Sequence, residues 1–127
     1  MIRSALIAST VLITGLAQPA FADWGGVAVH LGTGNWGYSA GWDKKRDAEK
    51  RAMHYCHEFA KSTTGCEVVL LTRKCGAVVR GSEGSEPRFF VIEAANRDAA
   101  GQQALAECKA TVGSSCDLRR TFCASDL

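Results

Sequence analysis

The sequence predicts an α+β domain. Two tandem β-β-α-β units would form one largely antiparallel sheet, with two helices against it and disulfides holding it together. Three observations point there. The chain resembles itself across its two halves. Its apolar segments alternate between the periods of strand and helix. Its six cysteines all follow a leader-like N-terminus. A sheet of this kind has the option of curling toward a barrel.

Residues 1–22 read MIRSALIASTVLITGLAQPAFA. One positive charge, Arg3, precedes an apolar run, then Pro19, then Ala20-Phe21-Ala22. That pattern is a secretory signal peptide with an A-x-A cleavage site. The run is shorter than the roughly 20 residues that span a bilayer. Cleavage is expected after Ala22, leaving one domain from Asp23 to Leu127 with no membrane span, secreted or periplasmic. The whole chain carries 15 basic and 13 acidic residues, and cleavage removes only Arg3 from that balance. Nucleic-acid binding, which needs a concentrated basic surface, is not expected. The densest basic run, Lys44-Lys45-Arg46, is followed by Asp47 and Glu49 and reads as a solvated helix start.

Superposing DAEKRAMHYC on AAGQQALAEC places Ala48, Ala52 and Cys56 on Ala100, Ala104 and Cys108. Further on, CEVVLLTRKC matches CDLRRTFC, and WGGVAV at Trp24 resembles CGAVV at Cys75. The units span about 24–74 and 75–123. Each, of about 50 residues, is too small to bury its own apolar face, so the two are expected to share a core.

The first unit opens with a strand over Val27–Leu31. GTGN turns the chain into a second strand over Trp36–Gly41. A helix follows over Lys44–Lys61, with Asp43 as N-cap and Gly65 at its exit. A strand over Glu67–Leu71 closes the unit. The second unit repeats this order. Strands are expected at Ala77–Arg80 and Arg88–Glu93, joined by a flexible loop RGSEGSEP. A helix over Arg97–Thr111 is capped by Asn96 and exits at Gly113, and the last strand covers Asp117–Phe122.

RAMHYCHEF, from Arg51 to Phe59, packs two histidines around a cysteine. At about 100° per residue, Ala52, Tyr55, Cys56 and Phe59 share the buried sector with Ala48. His54 and His57 fall roughly 120° or more away from Ala48, toward solvent. A base must reach its nucleophile, and these neighbours point apart. Cys108 has no such histidines, so the role common to both cysteines is a disulfide. His54 and His57 are weak metal candidates, since a structural zinc takes four ligands. No metal and no cofactor is expected.

Pseudo-symmetry orders the bridges. Cys56 and Cys66 flank one helix exit, and Cys108 and Cys116 flank the other. Cys75 and Cys123 remain, each after the last strand of a unit. An exported compartment is oxidising, which suits three disulfides.

WGGVAVH, WGYSAGW, DAEKRAMHYC, GCEVVL and CGAVV together resemble the bacterial family called domain of unknown function 4189. The resemblance runs from Trp24 to Cys123 and implies a small exported disulfide-bonded domain. It brings no catalytic residues. The second half departs from it, with RFFVIEA in place of the Trp-Gly strand, so a role for those aromatics rests on the first half.

No G-x-S-x-G elbow and no HExxH occur. GTGNWG lies between two strands and lacks the helix N-terminus that phosphate loops use. A non-catalytic module is therefore expected. The three tryptophans, Trp24, Trp36 and Trp42, lie close together with Tyr38. They are either sheet core or an exposed platform, since Trp and Tyr anchor interfaces. The loop RGSEGSEP is a second candidate surface. The expected partner is another exported protein, with this chain as an inhibitor or immunity-type module. The alternative is a cell-wall polysaccharide such as peptidoglycan, held by the tryptophans.

Overall fold

A computed structural model describes residues 23–126; the leader and its cleavage site lie outside the described residues. The chain runs β1 (Trp24–His30), β2 (Asn35–Trp42), α1 (Lys45–Ala60), β3 (Cys66–Thr72), β4 (Cys75–Glu83), β5 (Glu86–Ala94), α2 (Arg97–Val112) and β6 (Asp117–Cys123). The order β-β-α-β thus occurs twice, as the periodicities predict.

The strands divide into two three-stranded antiparallel sheets, ordered β2-β1-β3 and β5-β4-β6, where the sequence suggested one. The sheets face each other. Val27 and Val29 of β1 meet Val78 of β4 and Phe122 of β6, flanked by Trp36, Tyr38, Leu70, Phe89 and Val91. Side chains alternate along a strand, so Ala28 turns to the opposite face and packs under Ala52 and Cys56 of α1. Ala77 and Val79 likewise pack under Ala100, Ala104 and Cys108 of α2. The layers are α1, sheet, sheet, α2. Both central strands are buried on two faces, which explains their unbroken apolar runs.

Small residues set the helix–sheet distance. A Cβ built on Gly37 would stand 2.4 Å from the Cys56 nitrogen and 2.8 Å from the Ala52 oxygen. Gly37 pairs with Ala28. In the second unit Val79 pairs with Phe90, which is itself packed beneath α2. Helix α1 therefore lies closer to its second strand than α2 does. Only Ala48, Ala52 and Cys56 of α1 are buried. Tyr55 and Phe59, expected inside from the helical wheel, are 37% and 59% exposed. The gap under α1 is too thin for rings, so they flank it.

The helix ends differ in part from expectation. Asn96 caps α2, its side chain accepting from Ala99 N at 2.8 Å, and Gly113 ends it. Helix α1 starts after Lys44, which makes no side-chain cap, rather than after Asp43. It ends at Lys61 in the left-handed region (φ 53°), with Gly65 lying further on in the loop. The expected flexible loop RGSEGSEP is mostly strand. Pairing of β4 with β5 continues out to Glu83 and Glu86. A two-residue Gly84-Ser85 turn closes it, with Gly84 at φ 64°.

Three disulfides form, with the expected pairing: Cys56–Cys66, Cys108–Cys116 and Cys75–Cys123. The first two join a helix to the chain at the start of the following strand, Cys66 as the first residue of β3 and Cys116 just before β6. The third links the first and last strands of the second unit, because Cys75, just past the end of β3, is the first residue of β4. The position it occupies is filled in the first unit by Trp24, whose ring carries the Arg73 guanidinium 5.1 Å from its centroid.

Candidate functional site: an arginine and aromatic groove

A groove of about 1080 Å³ lies along β2, between α1 and residues of the second unit. Its floor is β2, an edge strand, from Asn35 through Ala40. One wall is α1, through Arg51, Tyr55 and Phe59 at successive i, i+4 positions that share one helix face. The other wall comes from the second unit: Arg80 of β4, Arg97 of α2, Arg119 and Arg120 of β6, and Asp126.

Two irregularities shape it. In β6 the pairing steps from Val78–Arg120 to Val79–Leu118, leaving Arg119 as the extra residue of a bulge. Arg119 and Arg120 thereby both line the groove instead of alternating across the sheet. In β2 a second shift lies between Ser39 and Trp42, around Gly41 at φ 77°. The freed Gly41 N–H donates to Ala124 O at 2.8 Å and closes one end of the groove. At the other end Arg80 Nη1 donates to Gly34 O at 2.9 Å.

The charges are unequal. Arg97 pairs with Asp126, whose other oxygen accepts from Cys123 N at 2.7 Å. Arg119 pairs with Asp117 at 2.8 Å. Arg51, Arg80 and Arg120 make no ion pair with a carboxylate among the described residues. Arg51 lies 5.1 Å from the Trp42 ring centroid and 5.7 Å from that of Tyr55. Arg120 lies 4.6 Å from the Tyr38 ring. Such cation–π contacts hold the guanidinium planes in place while leaving their N–H edges free for an acceptor. Tyr55 and Phe59 stack at 6.3 Å.

Of the aromatic patch expected from the sequence, Trp36, Tyr38 and Trp42 line the groove. Trp24 does not. It lies against Lys45 and Arg73 and fills the place of a disulfide. Tyr38 also packs inward, 5.4 Å from the Phe122 ring, so part of the patch is core.

The histidines lie elsewhere. His54 is exposed and meets Glu58 at 3.3 Å. His57, placed in solvent by the wheel, is half-buried instead, and its Nε2 accepts from Cys66 N at 3.4 Å. The Cys56–Cys66 bridge draws the start of β3 up to it. No group of three or more His, Cys, Asp or Glu able to hold a metal occurs among the described residues. His30 was not legible as a structural residue. Its Nε2 is 3.1 Å from Thr64 O and its Nδ1 accepts from Thr33 N, joining two turns.

The family model described as Domain of unknown function (DUF4189) matches residues 24–123. The chain belongs to this family. The match begins and ends with the first and last strands, so the DUF4189 unit comprises both sheets, both helices and all of the groove lining except Asp126. No curated protein and no solved structure matches the chain. No helix among the described residues is long and apolar enough to cross a membrane.

Proposed function

We propose that this DUF4189 domain is an exported, non-catalytic binding module that engages an acidic partner protein through the groove. The observation that carries this reading is the set of three arginines, Arg51, Arg80 and Arg120, that line one cleft and have no carboxylate partner among the described residues. A cleft lined by one sign of charge raises the local concentration of its ligand and steers its approach. Guanidinium forks suit carboxylates and hold them at defined angles. Tyr55 and Phe59 add apolar area of the kind found at binding hot spots. Among the described residues the groove lining contains no histidine, and its one side-chain carboxylate, Asp126, is already engaged, which supports recognition over acid–base chemistry. The signal-like residues 1–22 and three disulfides support export.

A second reading, polysaccharide binding through the tryptophans, has less to support it. Sugar stacking needs open ring faces, and two cations already lie over Trp24 and one over Trp42.

The test is retention of exported proteins on the immobilised oxidised domain, compared with the Arg51→Glu/Arg120→Glu variant. A ligand held by the parent, eluted by salt and lost in the variant supports the reading. Equal retention on both would defeat it. Sedimentation with purified cell wall, lost in Trp36→Ala, would favour the polysaccharide instead.

A further inference from the structure

Six consecutive residues, Asn35 to Ala40, line the groove. Side chains alternate between the two faces of a strand. A cleft touched by every residue in turn must run along the strand's backbone edge rather than over one face. That edge has no neighbouring strand among the described residues, because β2 is terminal in its sheet.

Edge strands are normally protected by charges, prolines or bulges, since their free N–H and C=O groups invite further pairing. The edge strand β5 carries Pro87 and Arg88. Asn35–Ala40, NWGYSA, contains neither a charge nor a proline. Its bulge, where Ala40 and Gly41 fall opposite the single residue Gly25, lies only at the far end of the segment. The two ends of the open stretch are closed by Arg80 on Gly34 and by Gly41 on Ala124. About six residues at roughly 3.3 Å each leave near 20 Å of unpaired strand. Arg51 overlooks it from α1, while Arg80 and Arg120 overlook it from the second unit.

Resting on the binding reading above, we infer that the groove receives an extended acidic peptide segment of the partner. This segment pairs with the free edge of β2 and sets its carboxylates against Arg51, Arg80 and Arg120. Main-chain hydrogen bonds supply the attachment in strand addition, and alternate side chains supply the selectivity. A peptide repeats its donors and acceptors at the spacing of β2 itself, whereas an anionic glycan offers charge without that ladder.

The probe is a nine-residue peptide of alternating threonine and glutamate, acetylated and amidated, titrated into the oxidised protein by calorimetry. Hydrogen exchange of the β2 amides is followed in parallel. The expected result is saturable binding with slowed exchange confined to Asn35–Ala40. Methylating alternate peptide nitrogens, replacing glutamate by lysine, or introducing Arg51→Glu/Arg120→Glu each weakens binding by about tenfold or more, as loss of a desolvated charge pair or ladder bond does. Circular dichroism and intact disulfides show that the variant is folded.

Equal binding of the methylated and parent peptides, or no binding of either, overturns strand addition. A heparin-derived hexasaccharide that binds through the same arginines while the peptide does not assigns the groove to an anionic glycan. In that case, as when neither probe binds but retention of an exported protein still depends on Arg51 and Arg120, strand addition falls; the retention result alone decides whether an acidic partner protein is bound.

Discussion

A Cβ on Gly37 would stand 2.4 Å from the backbone nitrogen of Cys56, so helix α1 rests directly on the backbone of β2. Both colliding groups are main chain and have no rotamer to change. Gly37→Ala must lift the helix or bend the strand. The expected cost is about 2–3 kcal/mol, at the upper end for overpacking. Urea unfolding of the oxidised protein measures it. Gly84→Ala is the contrast: nothing lies within 4 Å and only φ 64° is unfavourable, which costs about 1 kcal/mol.

Phe59 provides the complementary test. A buried Phe replaced by Ala loses about 3–5 kcal/mol. Phe59 is 59% exposed, so Phe59→Ala is expected to change stability by about 1 kcal/mol or less. A loss above about 3 kcal/mol in thermal or urea unfolding would return Phe59 to the core.

The bridges should differ in weight. Cys75–Cys123 closes a sequence separation of 48, and Cys108–Cys116 one of 8. The chain-entropy account gives about 4 kcal/mol for the first and about 2.5 kcal/mol for the second. Paired Cys→Ala variants are therefore expected to unfold in that order of urea midpoint. A non-reducing peptide map should recover the three pairs seen here.

The helix starts offer a signed comparison. Asn96 accepts from Ala99 N, and Asn96→Ala is expected to lose about 1 kcal/mol. Lys44 has the extended backbone of a cap but no capping bond. Lys44→Asp supplies an acceptor and a charge favourable to the helix dipole, and is expected to gain about 0.5–1 kcal/mol. Unfolding midpoints of both variants decide the sign.

The two helices, the succession of strands and helices along the chain and the bridges were legible because each follows from local pattern. Ala48, Ala52 and Cys56 mark a buried stripe whatever they pack against, and their likeness to Ala100, Ala104 and Cys108 fixed the disulfides. The β4–β5 hairpin was read too short because Gly, Ser and Glu dominate Ser82–Glu86. Backbone pairing there continues without apolar side chains.

The groove was half legible. Trp36, Tyr38 and Trp42 stood out by type and proximity. Arg51, Tyr55 and Phe59 share one face at i, i+4 spacing, yet hydrophobicity assigned the two rings to the core. Arg80, Arg119 and Arg120 come from the other unit, and no local rule places them beside β2.

What the sequence determined by itself was periodic: which segments are strands, which are helices, and which cysteines sit at equivalent points. Those properties depend on neighbours along the chain. Tertiary structure decided that the strands split into two facing sheets and that a single glycine draws α1 onto β2. It also decided that the rings displaced by that approach meet the arginines of the second unit. These outcomes depend on the distance between packed layers, which contacts between residues far apart in the chain set and no single segment encodes.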